Sequence, residues 1–337
     1  MSSRRVQIPS STQHITLEAL KQGLRIDLKN QNRKLDEIRK PVIHLSDEFG
    51  YVEVAWGETK AAIRVSAKIA KPYEERPFEG TFQINCEISL MAWANFENNS
   101  SKSAQEIITL RLIEKAIKRL NSLDLESLCI IAGEKVWAIT VDINYLNYDG
   151  GLIDLGCFGV MLALQHFRKP DVTIRGLEVE IHNDRPVPLS ILHIPICVLY
   201  LFFNRHSDDM TVNIKGDEND EICIVDANKE EELLAQGQFV VTLNKNRELV
   251  QVSKNGGLPI DAGQLVQLCL TSTRIVDELT NLMQAELELW ELKRYKTERL
   301  DLLQGIATRT ENELELGRDT AEFQTEPTVG AKSLPVE

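Results

Sequence analysis

The sequence predicts an α+β protein made of two α+β lobes followed by a long C-terminal helix and a flexible tail. Strand-like and helix-like stretches follow one another as strands, helix, strands, helix, then strands, helix. No repeat of about 20–50 residues is present, which excludes a solenoid. With 337 residues, 43% of them hydrophobic, the chain can bury a substantial core. The expected domains are a first lobe over 1–188, a second lobe over 189–304 and an acidic tail over 305–337.

The first lobe opens with a short amphipathic helix that Ser10, Ser11 and Thr12 can cap and that ends near Gly23. Alternating apolar residues and turn signals then predict four strands, over 42–45, 50–55, 61–69 and 81–90. A possible capping box of Ser103 and Glu106 precedes an amphipathic helix.

Two apolar strand candidates follow that helix, over 128–132 and 136–146. The run from Leu152 to Phe167 is apolar on nearly all sides, which predicts a buried helix. An alternating stretch over 172–181 completes the first lobe.

The second lobe contains four predicted strands and a short helix, namely strands 192–202, 222–225, 239–243 and 248–253 and helix 230–236. Asp261 is expected to cap a long amphipathic helix that reaches about Leu303. Beyond Gly305 few large apolar residues remain, and acidic residues outnumber basic ones by seven to three, so the tail is predicted to be disordered.

The charge balance and the positions of the cysteines limit the classes of protein to which this chain can belong. The chain has 38 basic and 51 acidic residues and a formal charge of -13, whereas freestanding nucleic-acid-binding proteins usually carry a basic excess. Its six cysteines lie far apart, mostly in apolar runs and without a C-x-x-C pair, and its six histidines form no cluster. We therefore expect reduced, buried thiols in an intracellular protein, with no metal and no cofactor.

No segment has the character of a membrane or secretory signal. Residues 1–24 contain no continuous apolar core, and the most apolar stretch, Ile191 to Phe203, is shorter than the roughly 20 residues of a membrane span. The expectation is a soluble protein without a membrane partner. The apolar stretch fits a central strand, and its extension into a subunit interface is the alternative.

Five segments carry a resemblance to a known family. They are PYEERPFEG (72–80), LCIIAG (128–133) followed by WA, YDGGLID (148–154), PLSILHIPIC (188–197), and VTLNKNRE (241–248) running on to GGLP (256–259). In this order and at these separations they resemble the RNase PH family, most closely a ring subunit of the eukaryotic RNA exosome. The general resemblance covers most of residues 14–300 and implies the RNase PH-like fold in both lobes.

The resemblance also implies a missing phosphate site. Active members degrade RNA from the 3′ end with inorganic phosphate, and their Asp-x-Gly is followed by a small hydroxyl residue and an arginine. Here Asp149-Gly150-Gly151 is followed by Leu152 and Ile153, which can neither hydrogen-bond phosphate nor offset its charge. A further phosphate-binding arginine of active relatives has no match in residues 103–106. We therefore expect no catalytic residues.

The alternative is an active phosphate-dependent 3′-5′ exoribonuclease. Asp226 and Glu232 have the six-residue spacing of two carboxylates in active relatives, and such a pair could transfer protons or bind Mg²⁺. The structural interpretation is that Asp226 caps the short helix while residues 230–232 form its solvated face.

RNA contact is expected from basic residues. Lys60, Arg64 and Lys68 share one face of a predicted strand whose other face is apolar. Arg76 extends this charge, and Arg111 lies on the polar side of the first-lobe helix, so all five are candidate RNA-binding residues. The alternatives are a solvated strand face with acidic neighbours such as Glu74, and ordinary helix-surface charge.

Partners follow from the resemblance alone. It implies five other RNase PH-like ring subunits, OB- and KH-domain cap subunits, hydrolytic exosome nucleases outside the ring, and RNA threading through the central channel. It further implies rRNA processing and mRNA decay, in the nucleus and nucleolus and also in the cytoplasm. The end of the long helix, with Trp290 and the basic residues after it, and the acidic tail also suit docking of accessory factors.

Overall fold

The computed structural model describes residues 9–26, 33–92, 104–175, 178–204, 221–257 and 259–322. Ser103 of the predicted capping box lies outside them. The chain forms two compact units, Met1–Ala285 and Glu286–Glu337, and both predicted lobes lie in the first unit up to Ala285. The lobe boundary at 188/189 stays a prediction. No helix among these described residues is long and apolar enough to cross a membrane.

A six-stranded sheet forms the first lobe. Its strands are β1 Pro41–Leu45, β2 Tyr51–Trp56, β3 Thr59–Ala70, β4 Thr81–Ile88, β5 Cys129–Ile131 and β6 Lys135–Asn147. They lie in the order β1-β2-β3-β6-β4, with the short β5 beside β6. Neighbouring strands are antiparallel except β4, which runs parallel to β6. The strand predictions for this lobe are confirmed to within a few residues at each end.

Three helices belong to the first lobe: α1 Ser10–Lys21, α2 Ala104–Arg119 and α3 Leu152–His166. Helix α3 is buried along almost its whole length, as its apolar sequence predicts. It packs against the first sheet on one side and against the second lobe on the other. Close packing requires small residues: a Cβ at Gly159 would lie 2.4 Å from Ile63 Cδ1, and one at Gly156 would lie 2.2 Å from the Tyr145 hydroxyl.

A hairpin of β7 (Arg168–Arg175) and β8 (Glu178–Pro188) leads into the second lobe. The second sheet has the order β10-β9-β11-β12 and is antiparallel throughout. Its elements are β9 Pro195–Asn204, β10 Glu221–Val225, α4 Lys229–Leu234, β11 Gly237–Asn244 and β12 Leu249–Gly256. The apolar run that predicted a central strand is β9, whose residues 196–203 are all buried.

Helix α5 (Ala262–Glu322) begins on the second lobe, where the Tyr200 hydroxyl of β9 lies 2.7 Å from Ser272 Oγ and 3.0 Å from the Leu268 carbonyl oxygen. The predicted end near Leu303 is wrong, because the helix continues to Glu322. Gly305 and Gly317 each cost the helix only about 1 kcal/mol, and the residues between them include several good helix formers such as Glu and Leu. Of the expected disordered tail, residues 323–337 lie outside the described residues.

Candidate degenerate phosphate site

The Asp149-Gly150-Gly151 turn places the start of α3 in the interior. Gly150 and Gly151 have φ of +85° and +71°, a conformation that glycine adopts without strain. The next two side chains, Leu152 and Ile153, are 2% and 6% exposed. They line a cavity of about 300 Å³, together with Gln105, Ile108, Thr109, Leu199, Glu232, Ala235, Gln236, Gly237, Gln238, Asn255 and Gly256.

This cavity is a poor binding site for an anion. Its described lining contains no lysine, arginine or histidine, and its one ionisable side chain is the carboxyl of Glu232. Burial raises the pKa of Glu232 above its ordinary value, opposed by hydrogen bonds from the Tyr148 hydroxyl, at 3.0 Å, and the Gly151 backbone. A phosphate here would meet amide and hydroxyl groups but no cation, and it would also face the carboxyl group of Glu232.

The structure corrects the interpretation of Asp226. Asn228, not Asp226, caps α4, and it forms a capping box with Glu231. Glu231 is buried and Glu232 is half-buried, so residues 230–232 do not form one solvated face. Asp226 instead accepts hydrogen bonds from two buried arginines, Arg33 and Arg39.

Arg25, Arg33 and Arg39 are therefore site residues that sequence reasoning missed. Their partners lie between 110 and 206 residues further along the chain, which no local pattern reveals. The available signal was the concentration of three arginines in the short segment 24–40, next to the first strand.

The five candidate RNA-binding residues do not form one strip. Lys60, Arg64 and Lys68 are exposed on one face of β3, as their spacing predicts. Arg111 lies on α2, which packs against α3 on the other face of this sheet. Arg76 lies in the turn after β3 and pairs with Glu79 at 3.1 Å.

Acidic side chains also share the basic face of β3. Arg64 pairs with Glu48 at 2.9 Å and lies opposite Asp142 of β6 in the sheet register. Within the part of the chain that the structure describes, Lys60 and Lys68 make no ion pair. These two lysines are thus the strongest remaining candidates of the five, and their RNA contact stays a prediction.

Asp154, in the first turn of α3, also has a buried carboxyl group. Its Oδ2 accepts a hydrogen bond from the Leu199 N–H at 3.1 Å, and its Oδ1 has no partner among the described residues. Burial raises the pKa of Asp154 well above its ordinary value. The carboxyl group therefore takes up a proton more readily in the folded chain than in the unfolded one.

Replacing this acid tests its protonation. Because the raised pKa lets the folded chain bind a proton that the unfolded chain releases, stability falls as pH rises from the ordinary carboxyl value through the folded pKa. We expect Asp154→Asn to stabilise the chain by about 1 kcal/mol near neutral pH and to flatten this dependence. Urea unfolding across pH measures both, with exposed Glu53→Gln as control. If the free energy of unfolding depends on pH equally in the variant and in the native chain, the pKa of Asp154 is not raised.

Comparison with known proteins places the chain in a family. Residues 37–170 match domain 1 of the 3′ exoribonuclease (RNase PH) family, and residues 193–274 match domain 2. The chain is 48% identical over 279 residues to exosome complex component RRP45 of Saccharomyces cerevisiae, covering 82% of this chain and 90% of that protein. It is 32% identical over 297 residues to human RRP45, covering 87% of this chain and 63% of that protein.

Solved structures share the fold. An Archaeoglobus fulgidus exosome chain, from a structure with RNA bound to the active site, superposes with a TM-score of 0.65 at 24% identity. It covers 80% of this chain and 97% of its own length. Rice Rrp46 superposes with a TM-score of 0.51 at 14% identity, covering 76% and 98%. The resemblance read from the five segments is confirmed, and the chain belongs to the RNase PH family of 3′ exoribonucleases.

Proposed function

We propose that this chain is a non-catalytic, RNase PH-like ring subunit of the RNA exosome. It scaffolds the ring and helps guide RNA through the central channel towards 3′-5′ degradation and processing. The observation that carries the proposal is the buried pair Leu152 and Ile153 at the start of α3, in a cavity without a described cation. The relatives named exosome complex component RRP45 support membership of the complex.

The proposed partners are other RNase PH-like ring subunits, OB- and KH-domain cap subunits, hydrolytic exosome nucleases and RNA. The proposed processes are rRNA processing and mRNA decay, in the nucleus and nucleolus and in the cytoplasm. The net charge of -13 supports a role inside an assembly, because a chain of this charge has little general attraction to RNA by itself.

Phosphorolysis requires a bound phosphate and a free acid or base, and the chain falls short on both. The cavity offers carboxyl, amide, hydroxyl and aliphatic groups, so it provides no positive charge to offset an attacking anion. Asp226 is held by two guanidinium groups at 2.6 and 2.7 Å and is therefore engaged in ion pairs. A lone carboxyl, Glu232, cannot complete the reaction without the phosphate site.

An assay of phosphate-dependent nucleotide release tests the proposal. The full chain, alone and with its ring partners, is incubated with single-stranded RNA and inorganic phosphate. We expect that adding this chain does not increase the release of nucleoside diphosphates. The Glu232→Gln variant is expected to give the same result as the native chain. Release that depends on phosphate and disappears with Glu232→Gln establishes the alternative, an active exoribonuclease.

Charge reversal tests the guiding role. Lys60→Glu with Lys68→Glu, in the assembled ring, is expected to weaken RNA protection and to make log affinity depend less steeply on log salt. The slope should fall by about 0.7 for each single-strand phosphate that the protein no longer neutralises. The matched control is Arg175→Glu, on the exposed end of the β7 strand. An unchanged slope and unchanged protection in the double variant remove β3 from the RNA path.

A further inference from the structure

Residues 24–26 and 33–40 bury three guanidinium groups between the lobes. Arg25, Arg33 and Arg39 are 6%, 6% and 5% exposed. Burying a charged side chain is costly unless it is paired and hydrogen-bonded, so the partners of these groups decide whether the fold tolerates them.

Arg25 binds the second lobe. Its Nε and Nη2 donate to the two carboxylate oxygens of Glu231 at 3.1 and 2.6 Å, which is the two-pronged geometry that makes arginine pairs strong. Its guanidinium also donates to the backbone carbonyls of Val225 and Asp226, at 2.9 and 2.8 Å. Arg25 therefore fastens the N-terminal segment to the turn between β10 and α4.

Arg33 and Arg39 converge on one carboxylate in that turn. Arg33 Nη1 lies 2.7 Å from Asp226 Oδ2, and Arg39 Nη2 lies 2.6 Å from Asp226 Oδ1. The Arg39 backbone N–H also donates to Oδ2 at 2.8 Å. Both oxygens of Asp226 therefore accept hydrogen bonds, and Arg33 Nη2 also donates to Asn228 Oδ1 at 3.2 Å.

Arg39 contacts a carboxylate in each lobe. Its Nη1 lies 3.1 Å from Oδ2 of Asp149, in the glycine turn that starts α3 in the first lobe. The guanidinium is packed tightly there, because a Cβ at Gly57 would lie 2.6 Å from Nη1. Within the described residues, three arginines thus meet three carboxylates, those of Asp149, Asp226 and Glu231.

We propose that residues 33–40 form an inter-lobe strap, and that the Arg39 guanidinium is a built-in cation that bridges Asp149 of the first lobe and Asp226 of the second. Without this group, Asp226 would keep Arg33, and a space of the shape of a guanidinium would remain beside both carboxylates. A chain that lacks the Arg39 side chain is therefore expected to take up a small exogenous cation of the guanidinium class. This inference does not depend on the proposed function.

The test uses the full chain carrying Arg39→Ala, with methylguanidinium as the probe. We expect the melting temperature to fall by about 5 °C, because Asp226 keeps Arg33 but the bridge is lost. Millimolar methylguanidinium is expected to restore most of that loss. Arg64→Ala is the matched control: it removes an exposed arginine paired with Glu48, and it should melt near the native temperature without responding to the probe.

Two results would contradict the proposal. One is a melting temperature of Arg39→Ala equal to that of the Arg64→Ala control. The other is a melting temperature of Arg39→Ala that methylguanidinium does not raise. If Arg39→Ala does not fold, Asp149→Asn replaces it, because this change leaves Asp226 paired. If the strap couples the two lobes, the backbone amides of Asp149→Asn exchange faster than those of the native chain both in residues 149–153 and in residues 225–231. Acceleration restricted to residues 149–153 shows that the two lobes are not coupled through Arg39.

Discussion

Asp226→Ala is expected to destabilise the chain by about 4 kcal/mol, the range measured when one partner of a buried ion pair is removed. The change removes the shared acceptor of Arg33 and Arg39 and leaves both guanidinium groups buried with too few partners. Asp226→Asn is expected to lose nearly as much, because an amide keeps the shape but not the charge.

Urea unfolding of the full chain measures this loss. The control is Glu48→Ala, which also removes a carboxylate from an arginine, but at a pair whose side chains are 66% and 61% exposed. Exposed pairs contribute about 1 kcal/mol or less, so the control should unfold close to the native midpoint. Similar midpoints for Asp226→Ala and Glu48→Ala refute the buried network as a stabilising feature.

Gly150→Ala is expected to cost about 3–5 kcal/mol through two additive effects. The residue has φ of +85°, which strains any side chain, and a Cβ there would lie 2.1 Å from the Ala227 carbonyl oxygen. That oxygen belongs to the backbone of the second lobe and cannot rotate away. The substitution therefore pushes the Asp149 turn away from the turn that carries Asp226.

Gly133→Ala separates the two effects. Gly133 has φ of +77°, but a Cβ there meets nothing within 4 Å. It should therefore lose only the roughly 1–2 kcal/mol of left-handed strain. Thermal unfolding of both variants gives the comparison. If Gly150→Ala costs no more than Gly133→Ala, the close approach of the two lobes at this turn is wrong.

Local pattern was enough to predict much of the fold. The alternation in β3 correctly separated exposed Lys60, Arg64 and Lys68 from buried Ala61, Ile63 and Val65, because strand side chains alternate whatever the tertiary context. The uniformly apolar α3 and β9 were recognised because only elements covered on both faces can lack a polar side. The end of α5 lies beyond the predicted Leu303 because the loss of large apolar residues after Gly305 does not by itself end a helix.

The candidate site likewise has one part that the sequence could predict and one part that it could not. Leu152 and Ile153 are adjacent in the chain, so the loss of phosphate-binding groups could be inferred before their burial was known. The environment of Asp226 could not, because its partners Arg33 and Arg39 are 193 and 187 residues away. Likewise, only the strand register places Asp142 beside Arg64 and shows that the basic face contains acids.

The most direct test of ring membership is the composition and native mass of the complex that contains this chain. Tagged full-length protein is purified from its own cells and analysed by native mass measurement and protein identification. We expect a stoichiometric assembly with other RNase PH-like ring subunits and with OB- and KH-domain proteins. A monomer with no copurifying ring protein would contradict membership of the ring.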